Sequence, residues 1–105
     1  MKALKCACLN SKLHIIDIES TLLRALPGFE IVGLASVTIK ESVTRVKSAL
    51  AALRDFTLPA MKIIINLSPS DVKKDGSHFD LAIALLVLLQ KERFDSDYFV
   101  FGELG

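Results

Sequence analysis

The sequence predicts a two-layer α/β domain, an α+β sandwich of one sheet and its helices, on three observations. Short runs rich in Ala, Ile and Cys open the chain, the apolar spacing changes to a helical period after residue 37, and strand-like and helix-like runs then alternate to the end, giving the order βββαβαβ. A length of 105 residues suits a single domain, 1–105, and 51% hydrophobic residues suffice for its core.

Ala3 to Leu9 and Leu13 to Ile18 read as a hairpin around Asn10-Ser11-Lys12. In the second run His14, Ile16 and Ile18 share one face, and Ile15, Asp17 and Glu19 the other. Cys6 and Cys8 also share a face, where two reduced thiols fit better than a bridge across so short a loop. A C-x-C metal site is the sharper alternative, but only His14 stands near it. Residues 20–26 are less regular, and Thr21 to Arg24 fit a helical turn before Pro27-Gly28 redirects the chain. Phe29 to Leu34 then restart as a third strand closed by Gly33.

From Thr38 to Asp55 the residues Val43, Val46, Leu50 and Leu53 form a helical stripe, with Glu41 and Arg45 as a supporting i,i+4 pair. Met61 to Leu67 is apolar enough for a central strand, and Ser68 to Asp71 turns the chain. Asp80 to Lys91 is a second helix, apolar on nearly every side, with Ser77 expected to cap it. Its core residues are Phe79, Leu81, Ile83, Leu85 and Leu86, and Tyr98 to Phe101 form the last strand.

The longest apolar run, Leu81 to Leu89, falls short of the roughly 18 residues that span a bilayer, and the N-terminus carries Lys2 and Lys5 without the apolar stretch and small-residue cleavage site of the secretory kind. No membrane partner and a cytoplasmic location are therefore the expectation. Net charge is +1, but residues 37–74 hold seven Lys/Arg against three Asp/Glu, whereas 75–105 hold two against six. Lys40, Lys47 and Arg54 recur every seven residues, which at about 100° per residue keeps them in one narrow sector. Thr44 and Ala51 between them are small, and Arg45, Lys73 and Lys74 are further candidates for contact with DNA phosphates. The alternative is an ordinary solvated helix face. No aromatic residue is interleaved with these cations, so base stacking is not indicated.

The runs Leu26-Pro27-Gly28-Phe29-Glu30-Ile31-Val32-Gly33-Leu34, Ile39-Lys40-Glu41-Ser42 with Arg45-Val46, Asn66 to Asp71, Lys74 to Leu85 and Gly102-Glu103-Leu104 stand in an order that resembles one family. It is the N-terminal, ChlI-like domain of the ComM/YifB-type, magnesium-chelatase-like AAA+ ATPases. The resemblance implies the ribosomal-protein-S5-domain-2-like fold shared with the Lon protease domain, and a chain that is one piece of a longer AAA+ protein. It implies partners in that protein's own AAA+ domain, in neighbouring subunits of a ring and in DNA. It also implies ATP and Mg2+ for the parent, with a role in competence and branch migration. Two departures, Ala35-Ser36 in place of Pro-Asp and Ala82 in place of Pro, soften rigid corners of the family pattern.

No G-x-x-x-x-G-K-[ST] loop occurs, so no nucleotide site and no cofactor of its own are expected in this chain. Ser77, His78 and Asp80 are the residue types of a hydrolase, but neighbours this close point in different directions. Against the Lon pattern, Lys74-Asp75-Gly76 is retained, His78 takes the nucleophile's place and Ser77 falls one residue early. The resemblance thus implies a degenerate protease site and no catalytic residues. His78 has two readings, a contact to nucleic acid or a half-exposed neighbour of Asp75 or Asp80. The overall expectation is a non-catalytic accessory domain that meets DNA or neighbouring subunits. The alternative is an assembly module without DNA contact, and a peptidase-like enzyme ranks last.

Overall fold

A computed structural model describes residues 2–92 and 97–105. Four strands form one sheet: β1 (Lys2–Asn10), β2 (Lys12–Leu23), β3 (Gly28–Val32) and β4 (Lys62–Ser68). Their spatial order is β1-β2-β4-β3. β1 and β2 are an antiparallel hairpin in which Cys6 faces Ile16 and Leu9 faces Leu13, and Ser11 takes a positive φ at the turn. β2 also pairs antiparallel with β4, whereas β3 runs parallel to β4. A parallel pair needs a crossover, here supplied by α1 (Val37–Lys40) and α2 (Ser42–Ala51). A third helix, α3 (Asp80–Leu88), packs beside α2 and against β1 and β2.

Alternation sorts the sheet into two faces. Leu4, Cys6, Cys8, Ile16, Ile18, Ile63, Ile65 and Leu67 point inward, and Ile39, Val46, Leu50, Phe79, Ile83 and Leu86 meet them from the helices and the segment before α3. Leu9, Leu13 and Ile15 stand exposed on the opposite face. The two-layer architecture is the expected one, and the inward placing of Ile16 and Ile18 follows the predicted alternation.

Several local expectations are corrected. Residues 20–23 continue β2 instead of making a helical turn; Ser20 is buried in an inward slot and donates to Gln90 Oε1 at 3.0 Å. The predicted helix 38–55 is divided at Glu41 and ends at Ala51, which leaves Leu53 exposed. Near the C-terminus, Tyr98 to Phe101 make only a local parallel bridge, Lys5 to Phe99, on the outer edge of β1. α3 ends at Leu88, short of Lys91, and Leu81 and Leu85 are half-buried while Phe79, Ile83 and Leu86 are fully covered.

Among the described residues no helix is long and apolar enough to cross a membrane.

Candidate functional site

The segment Lys73 to Asp80 crosses the inner face of β1. Cys8 Sγ lies 3.9 Å from the Lys73 carbonyl and Cys6 Sγ 4.0 Å from the His78 carbonyl. Both thiols are free, and burial raises Cys6 to about 11, so it stays protonated at neutral pH. Among the described residues no cluster of three His, Cys, Asp or Glu side chains is placed to hold a metal ion.

Two buried charges organise this segment. The first is Lys74, which has no exposed surface. Its Nζ donates to the carbonyl oxygens of Gly33 at 2.7 Å, Leu67 at 3.3 Å and Pro69. An ammonium has three protons, and three carbonyls receive them. The backbone of Lys74 bonds on both sides as well, its N–H to Leu34 O and its carbonyl to Ser36 N–H, each at 3.0 Å. Burial pulls the Lys74 pKa below its ordinary value, with the charge of Asp71 opposing. The loops after β3 and β4 are thereby tied to one side chain. The path is tight at Gly33, where φ is +109° and a Cβ would collide with the backbone of Leu67.

The second is Asp80, also without exposed surface. Arg45 Nε donates to its Oδ2 at 2.6 Å and Arg45 Nη2 to its Oδ1 at 3.0 Å; the Ser42 hydroxyl donates to Oδ1, and the Leu104 N–H to Oδ2 at 3.2 Å. Burial alone would raise the Asp80 pKa, but the hydrogen bonds from Arg45, Ser42 and Leu104 outweigh it and leave the carboxyl below its ordinary value. The same bond raises Arg45. Asp80 thus joins α2, α3 and the C-terminal strap, whose Gly102 also bonds the start of α3 through His78 O at 3.1 Å and Leu81 N–H at 3.0 Å.

His78, Ser77 and Asp75 are engaged too. His78 Nε2 lies 2.7 Å from the Ala7 carbonyl, and its ring sits 4.5 Å from Phe79 and 6.2 Å from Phe101 between centroids. The Ser77 hydroxyl bonds Glu103, and Asp75 accepts from the Ser36 hydroxyl at 2.7 Å and the Gly76 N–H at 2.8 Å, which lowers its pKa.

Three sequence expectations change here. Lys74 is inside the protein, not among surface cations, because the carbonyls around it replace water. Arg45 bonds Asp80, and Glu41 acts on it only through its charge. Ser77 is not the cap of α3; Phe79 occupies that position without a side-chain cap. His78 is half-exposed and close enough to Asp75 for its charge to act there, as expected, and its Nε2 also reaches the Ala7 carbonyl of β1. The other named cations, Lys40, Lys47, Arg54 and Lys73, are exposed, but Arg54 lies beyond the end of α2. The Asp80–Arg45–Ser42 cluster was not anticipated, although one carboxylate heading an otherwise apolar helix is a visible signal for it.

Residues 18–105 match the family described as subunit ChlI of Mg-chelatase. The chain belongs to that family. Similarity extends to the competence protein ComM of Haemophilus influenzae, 38% identical over 92 residues that cover 88% of this chain and 18% of that protein. YifB of Escherichia coli is 39% identical over 94 residues, 86% of this chain and 18% of YifB. An uncharacterized protein of Mycobacterium tuberculosis is 33% identical over 80 residues, 76% of this chain and 16% of its own. This ChlI-family chain therefore spans less than a fifth of the curated relatives it matches. All groups bonded to the Lys74 ammonium and the Asp80 carboxylate fall inside the family match.

Proposed function

We propose that this chain is a non-catalytic accessory domain of a ComM/YifB-like AAA+ ATPase that processes DNA. One observation carries the non-catalytic part: Lys74, Ser77, His78 and Asp80, the residues with the chemistry of a protease site, are each bonded to the protein's own groups. An ammonium held by three carbonyls has no lone pair to act as a base, and the Ser77 hydroxyl is bonded to the Glu103 carboxylate, a far weaker base than the imidazole or amine that activates a serine nucleophile. The glycines fall singly along the chain and form no phosphate loop, so ATP and Mg2+ belong to other parts of the parent.

The DNA part rests on similarity to a protein named for competence and on the exposed cations Lys40, Lys47, Arg54 and Lys73. Lys40, Lys47 and Arg54 would touch phosphates and read no bases. Three such contacts give a slope of log affinity against log salt of roughly −3 on duplex DNA, so binding by the 105-residue chain should be measurable only at low salt. Fluorescence anisotropy with labelled duplexes of unrelated sequence tests this. Replacing Lys40, Lys47 and Arg54 with Glu should abolish binding on every duplex. If affinity is insensitive to salt, or survives the triple reversal, the cations are a solvated face and the domain serves assembly alone.

A further inference from the structure

The two edges of the sheet are treated differently. At the β1 edge the N–H of Lys5 bonds Tyr98 O at 3.0 Å, its carbonyl accepts from Val100 N–H at 2.9 Å, and the Ala7 carbonyl is taken by His78. The chain covers that edge itself. The β3 edge has β4 on one side and no strand on the other among the described residues. Proteins usually guard such an edge with a Pro, a Lys or a bulge. Between Gly28 and Val32 there is neither Pro nor Lys, and the one charge, Glu30, is paired with Lys62.

A groove of about 830 Å³ runs along this edge. Every residue from Phe29 to Ala35 lines it, whichever sheet face its side chain takes, so the groove follows the strand's rim. Its far wall is helical, made by Lys40, Val43 and Thr44. The floor and lips are apolar: Phe29 is half-buried, and Val32 and Leu34 are 36% and 55% exposed. Two charged side chains line it. Glu30 is paired with Lys62 at 3.1 Å, whereas the Lys40 ammonium has no partner among the described residues.

We infer that this groove docks an extended peptide segment of a partner protein, added as a further strand on β3 and carrying a carboxylate for Lys40. A strand rim offers a row of N–H and C=O groups, which only another extended backbone can satisfy in register. The helical wall takes alternate side chains, and the uncompensated cation selects an acidic one. The strand rim plays no part in the DNA reading, but Lys40 belongs to both, so a docked acidic peptide and a phosphate would compete for it.

The test uses the 105-residue chain and a display library of random peptides about seven residues long, enough to run beside the five residues of β3. Selected peptides should carry β-branched or aromatic residues at alternate positions and an Asp, Glu or terminal carboxylate. N-methylation of every second amide of the selected peptide should abolish binding while methylation of the intervening amides is tolerated. Backbone NMR shifts should move in residues 28–35 and 40–44. Filling the groove by Thr44→Trp, at an exposed helix position, should remove binding; Lys40→Glu should weaken an acidic peptide about fivefold and favour its Lys-substituted version. No enrichment over Thr44→Trp, tolerance of N-methylation at all positions, shifts elsewhere, or self-association through β3 seen by sedimentation would each overturn the inference. No nucleic acid enters the assay, so the fate of the DNA reading does not affect it.

Discussion

Replacing Arg45 with Met should destabilise the chain by about 3 to 5 kcal/mol, because it strips the cation from a buried carboxylate. Asp80 has no exposed surface, and Ser42 and the Leu104 N–H cannot neutralise it. The pH dependence should change sign. In the native chain the folded-state pKa of Asp80 is depressed, so its stabilising contribution is present above the unfolded carboxyl value and fades as pH falls through the folded one. In Arg45→Met, burial dominates and raises the folded pKa, so acidification through the range between the two values should protonate Asp80 and recover stability. Adding Asp80→Leu should restore part of the loss at neutral pH, since an apolar pair avoids the stranded charge. Urea unfolding at several pH values checks all three outcomes.

Lys74→Met should cost about 3 kcal/mol, since it keeps most of the apolar stem but removes a donor from three carbonyl oxygens, of which Pro69 O retains the Val72 N–H. The neighbouring exposed change Lys73→Met should stay within about 0.5 kcal/mol. Loss at Lys74 should also loosen the loops after β3 and β4 together, visible as faster exchange of the Ser36 and Lys74 amides, which donate to the Lys74 and Leu34 carbonyls.

Local periodicity made the layers legible. The alternation of Ile16 and Ile18, the stripe of Val46 and Leu50 and the apolar run of β4 are each dictated by a few neighbouring residues, and each was placed correctly. Ser20 concealed the far end of β2, because a polar residue in an inward slot breaks the alternation, and its partner Gln90 is 70 residues away. The site was less legible for the same reason. Nothing in the local pattern shows that Lys74 faces Gly33 and Leu67, or that Arg45 will bond Asp80, 35 residues on. Spacing on a helix predicted a basic strip of Lys40, Lys47 and Arg54, but the helix breaks at Glu41 and ends at Ala51, so only Lys47 lies on α2, while Arg45 and Lys74, expected beside the strip, bond Asp80 and three carbonyls.

The motifs around Gly33, Ser42, Leu67, Lys74, Asp80 and Leu104 thus meet at two buried charges, and on this account they hold the domain together. Limited labelling of the native chain with an amine-reactive ester, read by mass spectrometry, tests that most directly. Lys40, Lys47 and Lys73 should react promptly, while Lys74 stays protected until the chain is unfolded in denaturant. Native-state labelling of Lys74 at the rate of Lys73 would contradict the account, because an ammonium free to react cannot be the clasp between the two loops.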